Sequence, residues 1–99
     1  MNIEEVKVDG MIQLNASGKI DALSSTEFQN AILQGFQKSN DVILNMQDVN
    51  YISSAGLRGL IIGQKTASSK KGHFTIINVT APVKDILRVT GLDKALVIK

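Results

Sequence analysis

The chain contains no cysteine and no tryptophan, a single proline (Pro82) and a single histidine (His73). Without cysteine there is no disulfide framework and no thiolate metal site. One imidazole and scattered acids leave no plausible ligand cluster, and no pair of carboxylates stands ready for acid–base chemistry. Asp41, Asp48 and Asp85 each have an ordinary loop or first-turn role. Neither a metal nor a cofactor is therefore expected. Long apolar runs are also missing. The run Val42-Ile43-Leu44 is far below the ~20 residues that span a bilayer, so no membrane insertion is expected. The opening residues Met1-Asn2-Ile3-Glu4-Glu5 lack the basic and apolar regions of a signal peptide. Nor does charge of one sign dominate. Eleven basic residues face nine acidic ones, a net charge of +2, which selects neither nucleic acid nor a lipid surface. The expectation is a cytoplasmic protein of one domain, residues 1–99, with a core of modest size.

What is present is a regular alternation of strand and helix signals. Val6-Lys7-Val8 and Ile12-Gln13-Leu14-Asn15-Ala16 alternate around Asp9-Gly10, a hairpin signature. A helix is expected near residues 25–38. Ser24 would be its N-cap, Glu27 the capping-box partner, and Leu23 with Phe28 a hydrophobic staple. Phe28, Ala31, Ile32 and Phe36 continue its apolar face. Asp41-Val42-Ile43-Leu44-Asn45-Met46 reads as a central strand covered on both faces. A second helix should run from about Ser54 to Lys70, with Lys70 and Lys71 in its last turn and Gly72 as its stop. Leu57, Leu60 and Ile61 form a plausible core face for it. Gly56, Gly59, Gly63 and Ala67 form a second stripe of small residues. Each interior glycine costs about 1 kcal/mol against alanine, so something lies close to that stripe. Tight packing and a flat docking surface are the two explanations.

Phe74–Val79 is the next strand. Thr80 would cap a third helix that carries Pro82 in its first turn and Val83, Ile86 and Leu87 on its face. Gly91 ends that helix, Leu92 folds back, and Ala95–Ile98 is a last strand. The order β-β-α-β-α-β-α-β predicts an α/β fold with one mixed sheet, an N-terminal hairpin plus parallel strands, and helices packed against it.

Ser53 and Ser54 fall where a strand hands over to a helix, beside free N–H groups and a partial positive charge. Neither lies in the Gly-x-Ser-x-Gly elbow, and His73, the one imidazole, follows the Lys71-Gly72 turn and opens a strand as a surface residue at the edge of the fold, so serine hydrolase chemistry is rejected. Gly59–Thr66 nearly matches a P-loop, but Gln64 replaces the second required glycine and the match falls in mid-helix. Lys65, Lys70 and Lys71 complement a helix C-terminus and do not argue for nucleic acid. The serine pair remains as a site of modification. The second helix has no acid in its first turn, and Arg58 stands there instead. A phosphate would add about −1.5 to −2 charges beside the N–H groups and Arg58. On the residues alone, simple capping by Ser53 or Ser54 and modification of the pair are both open.

The stretch Asp48-Val49-Asn50-Tyr51-Ile52-Ser53-Ser54-Ala55-Gly56-Leu57 resembles the signature of STAS domains, specifically the single-domain anti-sigma factor antagonists of bacteria. Gly18-Lys19-Ile20-Asp21 is similar to the family's Gly-x-[Ile/Leu]-Asp turn. Pro82-Val83, Leu87 and Thr90-Gly91-Leu92 are similar to its third helix and exit, so the resemblance covers nearly the whole chain. It implies a STAS-type fold and a protein that is a substrate and not an enzyme. The unphosphorylated antagonist would bind an anti-sigma factor that is also a serine kinase, releasing the sigma factor. Phosphorylation would switch that binding off, and a separate serine phosphatase would reset it. Alignment on Gly56-Leu57 implies Ser54 as phosphoacceptor, with Ser53 as the helix cap or as the fallback site, because many members have aspartate there. The implied partner-binding residues are Asp21, Ala22, Ser24, Ser53, Ser54, Gly56 and Arg58. Many members continue past the last strand into a further helix where this sequence ends at Lys99. A monomer or weak dimer is expected. The alternative is a constitutive STAS subunit or scaffold of a signalling or transport complex, never phosphorylated. A third class is a small ligand-binding module that uses the helix N-terminus as an anion site.

Overall fold

The computed structural model describes every residue, Met1 to Lys99. β1 (Asn2–Val8) and β2 (Met11–Ile20) pair antiparallel, with Val8 opposite Met11. Asp9 and Gly10 make the turn with φ of 51° and 81°, the two left-handed positions of a two-residue hairpin. The chain then alternates through α1 (Ser25–Lys38), β3 (Asp41–Ile52), α2 (Ser54–Ser69), β4 (His73–Ile77) and α3 (Ala81–Val89). A short 3-10 turn, Leu92–Lys94, leads into β5 (Val97–Ile98). That turn delays the last strand, expected from Ala95, by two residues. The sheet order is β1-β2-β3-β4-β5, and every pair after the hairpin is parallel. This is the mixed α/β sheet that the sequence predicts.

Strand alternation puts the core on one face. Ile12, Leu14 and Ala16 of β2, Val42, Leu44 and Met46 of β3, and Phe74 and Ile76 of β4 are buried. Against them lie Phe28, Ile32 and Phe36 of α1, Leu60 and Ala67 of α2, and Val83 and Leu87 of α3. Successive right-handed crossovers along one strand order keep the helices on that face. On the other face Gln13, Asn15, Ile43, Asn45, Thr75 and Ile77 are only half-buried. β3 is thus covered on one face and not on both, because Ile43 points to the open side. β3 also runs on past Met46 to Ile52. Register shifts between Asn15 and Lys19 let β2 follow it to Ile20, with Gly18 at a φ of 101°. That extension carries both strands to the serine pair.

The small-residue stripe of α2 packs inward. A Cβ on Gly56 would stand 2.6 Å from Ile52 Cγ1 and 2.7 Å from Ile20 Cγ2, and one on Gly63 would stand 2.7 Å from the Phe74 ring. These glycines let the helix lie close to the strands, so the docking-surface reading of the stripe is excluded. Leu60 shares that buried side, while Leu57 and Ile61 flank it half-buried. At the end of α2 the left-handed residue is Lys71 (φ 57°), not Gly72, and the Gly72 N–H donates to the Ala67 carbonyl at 2.8 Å. Gly72 is needed for a different reason: a Cβ there would overlap the Asn40 carbonyl oxygen. Thr80 is the N-cap residue of α3, and its carbonyl accepts from the Lys84 N–H at 2.8 Å, but its side chain makes no capping hydrogen bond. Its hydroxyl donates to the Val49 carbonyl at 2.6 Å and ties α3 to β3.

Candidate functional site

The C-terminal ends of β2 and β3 bring two loops together. Lys19 pairs with Tyr51 and Ile20 with Ile52, and the Ser53 N–H donates to the Ile20 carbonyl at 2.7 Å. The Asp21 loop and the serine pair are therefore fastened through the backbone.

The two serines are not equivalent. Ser53 is the N-cap of α2, with extended backbone (φ −84°, ψ 171°). Its hydroxyl accepts from the Gly56 N–H at 3.2 Å and its carbonyl from the Leu57 N–H at 2.9 Å. Ser53 is half-buried. Ser54 is the first residue of the helix and is exposed. Its hydroxyl makes no hydrogen bond to the protein. The capping pattern leaves the Ser54 and Ala55 N–H groups without a protein acceptor. No acid stands in the first turn, and Arg58 is exposed with no ion pair. The exposed hydroxyl thus sits at the positive end of a helix dipole, about half an elementary charge.

Asp21 organises the adjacent loop. One carboxylate oxygen accepts from the N–H groups of Leu23 at 3.1 Å and Ser24 at 3.0 Å, and from the Ser24 hydroxyl at 3.0 Å. The Ser24 backbone N–H, and next its hydroxyl, hold the Asp21 carboxyl below its ordinary value of 3.8. The Ser24 hydroxyl also accepts from the Asp21 N–H at 3.0 Å and lies 3.0 Å from the Lys19 carbonyl. The capping box expected of Ser24 and Glu27 therefore does not form. Ser24 is already helical (φ −95°, ψ −6°), and its hydroxyl points back into the loop. Asp21, three residues earlier, takes the cap's work. The expected staple is absent too: Phe28 is buried, but Leu23 is 95% exposed.

Of the other expected partner-binding residues, Ala22 and Arg58 are exposed at this end and Asp21 and Ser24 are half-buried. Gly56 is buried beneath them and offers no side chain to a partner. Its part is to seat the first turn of α2 on Ile20 and Ile52. Leu23 was not among the expected site residues. The spacing of Asp21 to Ser24 is the signal that frees it, because a cap at Asp21 moves Leu23 out of the staple position.

Other candidate chemistry lies elsewhere. His73 starts β4, at the opposite end of β3 from Ser53, with Nδ1 2.9 Å from Asp41 Oδ1. Gly59–Thr66 is continuous helix, and Lys70 Nζ donates to the Phe36 carbonyl. The largest groove, about 570 Å³ between β1 and α1, is lined by Ile3, Glu5, Glu27 and Gln34 among others and does not include the serines. No helix is long and apolar enough to cross a membrane.

The family model described as the STAS domain matches residues 2–99. The chain belongs to the STAS domain family. Among its relatives, the anti-sigma-B factor antagonist of Staphylococcus epidermidis is 27% identical over 94 residues, covering 93% of this chain and 86% of that protein. The STAS fold here is similar to that of an anti-sigma factor antagonist from Mycobacterium paratuberculosis. There the TM-score is 0.86 at 21% identity, over 98% of this chain and 83% of the other. It is also similar to the anti-sigma factor antagonist SpoIIAA in its unphosphorylated form, with a TM-score of 0.76 at 16% identity over 99% of this chain and 88% of that one.

Proposed function

We propose that this STAS domain is an anti-sigma factor antagonist switched by phosphorylation at Ser54. In its unphosphorylated form it binds an anti-sigma factor that is also a serine kinase, and the sigma factor is released. The kinase moves the γ-phosphoryl group of ATP to Ser54 Oγ; the hydroxyl proton leaves and ADP departs. A serine phosphatase hydrolyses the ester and restores the hydroxyl. The protein acts in the cytoplasm as a monomer or weak dimer, and as substrate and binder, not as an enzyme.

The observation that carries this reading is the division of labour between the serines. Ser53 holds the helix cap, which leaves the Ser54 hydroxyl exposed and unbonded at the helix start. The arrangement accommodates either state. A phosphate at the first helical residue meets free N–H groups and a favourable dipole, worth about 0.3–1 kcal/mol to the fold. The same charge in a docking surface costs an interface several kcal/mol where it meets like charge or is desolvated. The fold is spared and the interface is broken. The family relationship and the 27% identical antagonist support the choice of partner.

The experiment is incubation with the cognate anti-sigma factor and ATP, followed by intact-mass and peptide analysis. One added phosphate at Ser54, with loss of binding, is expected. Stable binding without phosphate transfer would favour the constitutive scaffold.

A further inference from the structure

We infer that Leu23 is a preformed apolar anchor which enters a socket on the partner protein beside Ser54. The inference rests on the antagonist reading and deepens it by naming what holds the partner apart from the serine.

Leu23 is 95% exposed, more than any other large apolar residue of the chain. It contributes almost nothing to the core, because the staple with Phe28 does not form. A leucine in a loose loop would be an ordinary exposure. This loop is not loose. Asp21 Oδ1 binds the Leu23 and Ser24 N–H groups, the Ser24 hydroxyl bridges to Asp21 and Lys19, and Ser25 Oγ donates to the Ala22 carbonyl at 3.0 Å. The Leu23 backbone is therefore fixed between a strand end and the start of α1. Its isobutyl group is held out into water instead of turned inward. Fixing an apolar group before binding lowers the ordering cost of association.

Position ties the anchor to the switch. Leu23 lies three residues beyond Ile20, whose carbonyl is bonded to the Ser53 N–H. Leu23 and Ser54 therefore lie on neighbouring loops at the same end of the sheet. Ala22, its small neighbour, is exposed as well. The partner chemistry that fits is a protein surface carrying an apolar socket for one branched side chain, next to the region that approaches Ser54. On this view Ser54 carries the charge that decides binding, and Leu23 supplies much of the affinity that the charge must overcome.

The test measures binding of the cognate anti-sigma factor by calorimetry for wild type, Leu23→Ala, Leu23→Met and Val89→Ala. Val89 is 78% exposed on α3 and is the control for exposed apolar surface in general. Leu23→Ala should weaken binding about 10- to 100-fold, the range of a buried anchor. It should leave the melting temperature unchanged, and Leu23→Met should recover most of the affinity. Val89→Ala should bind as wild type. Wild-type binding that is abolished by phosphate on Ser54 but unaffected by Leu23→Ala would overturn the anchor and leave the antagonist reading standing. Wild type that binds no anti-sigma factor overturns the antagonist reading, and the anchor with it. Equal losses for Leu23→Ala and Val89→Ala would also overturn the anchor, because the effect would then be unspecific.

Discussion

Gly56→Ala is the substitution that most directly joins the packing to the site. In a solvent-exposed helix interior, alanine for glycine stabilises by about 1 kcal/mol. At Gly56 the new methyl group would meet Ile52 Cγ1 at 2.6 Å, Ile20 Cγ2 at 2.7 Å and Ile52 Cδ1 at 3.3 Å. Both isoleucines are buried, β-branched and stiff about χ1, and their backbones are paired across β2 and β3. Neither can withdraw without disturbing the sheet. Overpacking of this kind costs about 1–3 kcal/mol, and the rigid neighbours place it at the upper end. The net expectation is a loss of about 2 kcal/mol, or roughly 8–16 °C in melting temperature for a domain near 100 residues. Gly59→Ala is the internal comparison. Its nearest contact is 3.2 Å from Phe28 Cδ2, so its propensity gain and packing cost should nearly cancel. Urea and thermal unfolding, read by circular dichroism, measure both. The displaced first turn should also slow phosphate transfer to Ser54 from a given kinase. A Gly56→Ala protein as stable as wild type, or more stable, would refute the tight seating of α2.

Three further outcomes follow from the same geometry. Ser53→Ala removes the α2 cap and should cost about 1 kcal/mol in chemical denaturation, while Ser54 still accepts phosphate. Asp21 has a folded-state pKa below its unfolded value, so its contribution is present above about pH 3.8 and lost as pH falls through the lowered value. Hydrogen exchange at the Leu23 and Ser24 amides should accelerate in that acid window, and Asp21→Asn should abolish the step. Gly72→Ala forces a methyl group onto the Asn40 carbonyl and threatens the His73 N–H bond to the same oxygen at 2.9 Å. It should destabilise by more than about 3 kcal/mol, seen as loss of soluble protein or a collapsed denaturation midpoint.

The elements with local signals were legible in the chain. Asp9-Gly10 dictates its turn through two positive φ values, and the spacing from Phe28 to Phe36 fixes the face and length of α1. Ser53 and Ser54 are visible as a helix start; the residues alone leave the cap open between them, the family resemblance points to Ser53, and the Gly56 N–H bond to the Ser53 hydroxyl agrees. The errors arose where two local patterns compete. Ser24 with Glu27 is a sound capping box in isolation, yet Asp21 accepts three hydrogen bonds from residues 23 and 24 and takes the role first. Leu23 reads as the staple partner of Phe28 for the same reason, and its exposure emerges only with the fold. Val42-Ile43-Leu44 reads as a strand buried on both sides, and nothing local reveals that all three helices cross on one face. Gly72 looked like a left-handed stop, but the crowding at Asn40 is a contact between residues 32 apart in sequence.

The central claim is that one exposed hydroxyl at the start of α2 decides whether the partner is held. The direct measurement is the dissociation constant of the cognate anti-sigma factor for the unphosphorylated protein and for the protein phosphorylated at Ser54, with melting curves of both. Binding at least 100-fold weaker in the phosphorylated form, with a melting temperature equal or a few degrees higher, is the predicted result. Equal affinities in the two forms, or a phosphorylated protein that has unfolded, would contradict it.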